Sequence, residues 1–200
     1  MKKKVAFVLI NLLLANASFS QIQFGVKGGL NISSLKDDLS TGAETKSLPG
    51  YHFGVLAHLH VNKNWAIQPE IVLSSEGARV TYPSYNITTK LKYANQVLLI
   101  QYIMANGLLL ETGAQNGFLF TQQSKTSTGI ETTKEDVAKT NFSWVFGVGY
   151  ITRFGLGIDA RYNLGLSNDY KKGIHGNAKL KSRVSQIGVF YQFRHKTVPA

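Results

Sequence analysis

Cysteine is absent from the 200 residues, which excludes a disulfide frame and any thiolate metal site. Past the first twenty residues, no apolar run approaches the roughly 20 residues that a membrane-crossing helix needs; the longest resemble Val97-Leu98-Leu99-Ile100. There are four prolines, too few for an extended Pro-rich linker. Acids are scarce, with 11 Asp and Glu against 22 Lys and Arg, for a formal charge of +11. Three of those charges, Lys2, Lys3 and Lys4, precede an apolar run from Val5 to Leu14. Ser18 and Ser20 then offer small side chains at −3 and −1 before Gln21. That order marks residues 1–20 as a secretory signal peptide. Residues 21–193 are left for the fold and 194–200 for a short tail. An exported chain is a poor nucleic-acid partner, whatever its charge.

What is present is alternation. In residues 142–166 every second side chain is apolar or aromatic: Phe142, Trp144, Phe146, Val148 and Tyr150, then Leu156, Ile158, Ala160, Tyr162, Leu164 and Leu166. The opposite phase holds Ser143, Val145, Gly147, Gly149, Gly155, Gly157, Asp159, Arg161, Asn163 and Gly165. Period-two patterning predicts two strands with unlike faces, joined around Thr152-Arg153 as a hairpin. Glycines interleaved with a few charges suit a cramped polar interior, so the aromatic face must meet something apolar outside, most simply lipid.

The same reading extends along the chain. Strands are predicted over residues 21–33, 51–61, 65 to about 75, 91–104 and 108 to about 120, then the hairpin, then from Val184 or Ser185 to Phe193. Pro69 predicts a local bulge in the third. The apolar phase of the fourth shifts between Leu91-Tyr93 and Leu98-Tyr102, which predicts a bulge near Asn95. Connections alternate: polar loops up to Pro49-Gly50, over 76–89, over 121–139 and over 167 to about 180, and very short turns elsewhere. Even strand number, alternating loop lengths and aromatics near strand ends (Tyr51, Trp65, Tyr150, Tyr191, Phe193) predict an all-β fold. The expected architecture is an eight-stranded antiparallel up-and-down transmembrane β-barrel in the outer membrane of a Gram-negative envelope, with both termini periplasmic. A soluble barrel with the opposite facing would need larger solvated residues where these glycines stand.

Three segments also carry a resemblance: QFGVKGGLN (23–31), GLLLETGAQNGFLF (107–120) and FGVGYITRFGLGIDARYNLGLSN (146–168). They resemble the porin-like, PorT-like family of outer-membrane β-barrel proteins, with GxDxRYNxGL over 157–166 the most specific piece. That family often has a proline in its fourth strand, where this chain has Val97. The resemblance implies a small barrel; some relatives assist protein secretion or gliding.

Counting up from the short-turn end places Lys27, His58, Glu70, Glu111, Asp159 and Arg161 at similar depths inside. Such ions must pair, because an isolated buried charge is very costly. An eight-stranded barrel is just wide enough for side chains to fill. A side-chain plug is the expectation, a narrow proton or ion path the alternative. His52, His58 and His60 share a phase, yet a metal would need a third ligand such as Glu70. No metal or cofactor is expected. The inward histidines offer no serine–histidine–acid set at the bilayer, so catalysis is not expected either. Lys90, Lys92, Lys171, Lys172, Lys179, Lys181 and Arg183 cluster on outer loops and strand ends, where lipopolysaccharide phosphates would lie. Tyr191 and Phe193 end the last strand as barrel-insertion signals do. The expected role is structural or interactive, through four long polar outer loops and an envelope partner of unknown kind. A narrow porin-like channel or a secretion accessory are the alternatives.

Overall fold

The computed structural model describes residues 22–37, 44–81, 86–126, 129–131, 139–167 and 180–193. These form β1 (Ile22–Asp37), β2 (Glu44–His60), β3 (Trp65–Thr81), β4 (Asn86–Ile103), β5 (Leu108–Thr126), β6 (Gly129–Glu131), β7 (Thr140–Ile151), β8 (Leu156–Gly165) and β9 (Leu180–Phe193). Each long strand pairs antiparallel with its neighbours in the sequence, β5 joins β7, and β1 pairs with β9 to close the ring. The three-residue β6 only adds a short hairpin to β5. The expected eight-stranded barrel is what the chain forms. Closure leaves no strand edge in the wall, the condition for placing backbone amides in lipid.

Alternation decides the facing. Along β9, Ile187 is 64% exposed whereas Gln192 is 2% exposed. Phe24, Leu30, Phe53, Ile71, Leu98, Phe146 and Ile158 likewise point out, and Lys27, Glu70, Glu111 and Arg161 point in. The lumen also buries apolar clusters. Leu56, Leu109 and Phe190, with Ile103 and Ile151 against them, form one. Val72, Val97, Leu99 and Val145 form another.

The strands run further than their apolar alternation. The ladder between β3 and β4 continues to Thr81–Asn86, so most of the expected loop over 76–89 is paired strand. Thr121–Thr126 continues β5, β1 reaches Asp37, β2 begins at Glu44 and β9 at Leu180. These extensions are rich in Thr, Ser, Gln and Lys, so neither face is apolar and the period-two signal fades. A ladder requires only backbone groups and β-tolerant side chains, and it carries on.

A tall wall results. At about 3.3 Å per residue and a tilt near 40°, the ten residues of β8 rise roughly 25 Å, about the height of an outer-membrane apolar band. The 19 residues of β5 rise nearly twice that. β2 to β5 therefore stand above β7 and β8 at the long-loop end.

The irregularities fall elsewhere than expected. β4 keeps one phase throughout: Leu91 and Tyr93 are buried in the lumen with Asn95, Val97 and Leu99. No bulge at Asn95 is needed, because these two apolar residues fill the inside. The register shift lies on β5, where Lys92 pairs with Thr121 and Tyr93 with Leu119, leaving Phe120 as the extra residue. Pro69 makes no bulge: it stays in register with Leu98, and the defect it causes is a gap in the ladder to β2 between Leu56–Glu70 and Leu59–Ile67. The shift in β2 lies between Ser47 and His52, a stretch that contains Pro49, as suits a residue with no amide to donate.

Short turns have clear causes. The Asn62 side chain accepts from the amides of Asn64 and Trp65, both at 2.9 Å. The turns after β4 and β7 end on Gly107 and Gly155, with φ near +92° and +95°, a region that favours glycine.

Candidate functional site in the barrel lumen

The strand registers bring five ions to one level. Arg161 of β8 forks onto Glu70 of β3, Nη1 to Oε2 at 2.8 Å and Nη2 to Oε1 at 2.9 Å. Its Nε stands 2.8 Å from Glu111 Oε2, an ion pair too far off line for a hydrogen bond, and its Nη2 lies 3.1 Å from Asp159 Oδ2. Lys27 of β1 reaches Asp159 Oδ2 at 3.0 Å and Glu70 Oε2 at 3.4 Å. All five side chains are essentially shielded from solvent. A planar guanidinium presents several donors in a fixed fork, so one residue ties three strands together.

Neutral side chains extend the net. Gln101 donates to Glu111 at 3.0 Å, and Gln68 donates to Glu70 at 2.8 Å. That second bond turns the Gln68 oxygen toward His58, whose Nδ1 therefore donates across 2.9 Å. Gln68 thus links His58 to Glu70. Among the described residues no three His, Asp or Glu side chains are arranged to hold a metal, and Gln68 separates His58 from Glu70.

Two residues outside the expected charge network stand beside it. Asn31 gives its amide hydrogens toward the carbonyls of Tyr51 and Ser75 and the Ser74 hydroxyl. Its oxygen therefore faces His52, which donates from Nδ1 across 2.7 Å. The far nitrogen, Nε2, and Asp159 Oδ1 both border Gly188, and neither has a hydrogen-bond partner among the described residues. The polar phase of β1 and β2 contains both residues; what the sequence does not show is which strands they meet.

One rung nearer the short turns, the Phe190 ring covers Gly157, its cross-strand partner, and Leu56 and Leu109 complete the apolar floor. Among the described residues the ions thus sit against an apolar floor inside the ring.

The basic residues separate. Lys90 and Arg183 are exposed on the outer wall and Lys92 is half-buried there. β4 and β9 lie on opposite sides of the ring, so Arg183 does not share a patch with Lys90 and Lys92. Lys181 is a β9 residue whose side chain, like the whole of Lys171, Lys172 and Lys179, lies outside the described residues. Tyr191 and Phe193 are exposed on the lipid side with rings edge to face at 5.4 Å.

A closed antiparallel ring, apolar outside and ionic within, defines a transmembrane β-barrel of the outer-membrane kind. Residues 15–170 match the family described as outer membrane protein beta-barrel domain, and the chain belongs to that family. Comparison with curated proteins returned no match. Among solved structures it is similar to Ail, the attachment invasion locus protein of Yersinia pestis, in complex with the heparin analogue sucrose octasulfate. That likeness has a TM-score of 0.52 at 17% identity, over 86% of this chain and 99% of Ail. Neisserial surface protein A gives 0.55 at 13% identity, over 85% of this chain and 97% of that one. Such identities speak for the fold alone.

Proposed function

We propose that the protein is a non-catalytic, side-chain-plugged barrel of the outer membrane whose role is structural or interactive, exercised at the long-loop end. The observation that carries this is the ion net on its apolar floor: Arg161 spans from β8 to Glu70 on β3 across the bore. In planar bilayers the purified barrel is expected to give no stepwise conductance, and liposomes containing it should not swell in small sugars. A large steady conductance would replace this reading with that of a channel.

In the same reading residues 1–20 are a cleaved signal peptide and both termini are periplasmic. The described strand ends, Ile22 and Phe193, lie at the short-turn end of the barrel, which supports that sidedness. The porin-like, PorT-like resemblance belongs to it too, as do lipopolysaccharide around the wall and an envelope protein at the loops. Tyr191 and Phe193 serve assembly. Phe193→Ala is expected to lower the amount of heat-modifiable barrel in the membrane several-fold, read by semi-native electrophoresis of membrane fractions. An unchanged amount would remove the assembly role.

A further inference from the structure

Every acidic side chain among the described ones, Glu70, Glu76, Glu111 and Asp159, is buried on the lumen side. Among the described side chains the charges on the outer wall are therefore all basic, and at one place the register gathers them. Lys46 on β2 pairs directly with Arg79 on β3. Arg79 pairs with Thr88 on β4, Gly77 with Lys90, and Ser75 with Lys92. Paired residues share a face, so Arg79, Lys90 and Lys92 lie on the outside of the tall wall with Lys46 beside them. Lys46, Arg79 and Lys90 are exposed, and Lys92 is half-buried. The Arg79 Nε is held by Thr88 Oγ1 at 3.2 Å. Glu76, the acid nearest to Arg79 in sequence, is turned inward and accepts from Ser74 at 2.8 Å.

What lies beneath selects the ligand. The next rung toward the short turns pairs Leu73 with Ala94, followed by Ile71 and Leu98, both more than half exposed. A molecule fitting both levels has hydrocarbon chains below and anions above. Lys92 and the Lys90–Arg79 group are offset along the strands by about 7 Å per two residues, so anions at two depths are met. Guanidinium and ammonium groups are the usual partners of phosphate oxygens.

We propose that Arg79, Lys90 and Lys92, flanked by Lys46, form a site on the outside of the wall for the phosphorylated headgroup of a lipopolysaccharide-type glycolipid. The proposal rests on the reading that the long-loop end faces the outer leaflet.

The test uses the mature folded barrel in detergent, titrated with bisphosphorylated lipid A, its dephosphorylated form or phosphatidylglycerol, with binding read by native mass spectrometry. Arg79→Gln, Lys90→Gln and Lys92→Gln together should weaken lipid A binding roughly tenfold, a modest contribution from each exposed charge. Arg183→Gln, on the opposite wall, should leave it unchanged, and dephosphorylated lipid A should bind the wild type as weakly as lipid A binds the triple variant. Equal loss with Arg183→Gln, or equal binding of phosphatidylglycerol, would overturn the site. A triple variant that folds and binds lipid A as the wild type does would also overturn it, while leaving the plugged-barrel reading intact. That reading fails separately, on conductance.

Discussion

Replacing Arg161 with methionine is expected to destabilise the barrel by about 3–5 kcal/mol, the usual cost of removing one partner from a buried ion network. The side chain has similar reach, so packing is largely kept and charge is what is lost. Glu70 loses its bidentate partner, Glu111 its ion pair, and Asp159 one of its two cations. Three buried carboxylates then face Lys27 alone. The measurement is the temperature at which the purified barrel loses its compact electrophoretic band, expected to fall markedly. Arg161→Lys should fall between, since it restores the charge without the fork. Glu111→Gln should be milder, because that carboxylate keeps only an off-line contact with Arg161 and an amide can still meet Gln101. A methionine variant as heat-resistant as the wild type would show that the ions are incidental filling.

A valine at Gly29 should prevent the barrel from closing at all. A Cβ there would run into the Ile187 carbonyl, stand 2.6 Å from the Gly188 Cα and 2.8 Å from His52 Cε1. Two of those atoms are backbone of β9, which pairs with β1 to make the seam between the first and last strands. Neither can move without opening the ring, and the cost should exceed about 3 kcal/mol, beyond ordinary overpacking. Gly28, one residue earlier, is the control. A Cβ there meets only the His52 carbonyl at 3.6 Å and Phe53 Cβ at 4.0 Å, ordinary contacts. Gly28→Ala should fold in detergent with the wild-type electrophoretic shift, whereas Gly29→Val should yield only the unfolded band. Equal folding of the two would mean that the seam tolerates displacement.

How much of this was legible beforehand differs by feature. The facing of the long strands other than β4 could be read from side chains such as Phe142, Trp144 and Phe146 set against Ser143 and Gly147, because a strand reports its two faces in its own sequence. Strand ends could not be read where polar residues occupy both faces, as in 76–81 and 121–126. Leu91 and Tyr93 misled for a related reason: an apolar side chain in the lumen is indistinguishable, in one strand alone, from one that has changed face. The shift at Phe120 is visible only against β4.

The candidate site divides the same way. That Lys27, Glu70, Glu111, Asp159 and Arg161 turn inward at comparable depth follows from counting residues. That Arg161 forks onto Glu70, that Gln68 links His58 to it, and that His52 and Asp159 both border Gly188 do not. Nor does the separation of Arg183 from Lys90, or the meeting of Lys46 with Arg79. Residue order along the chain by itself determined the inside, the outside and the number of passes, since period-two patterning is local. The tertiary structure alone decided which ions touch and which cations share a wall. Those depend on the stagger of each strand against the next, accumulated around a closed ring, which no single strand records.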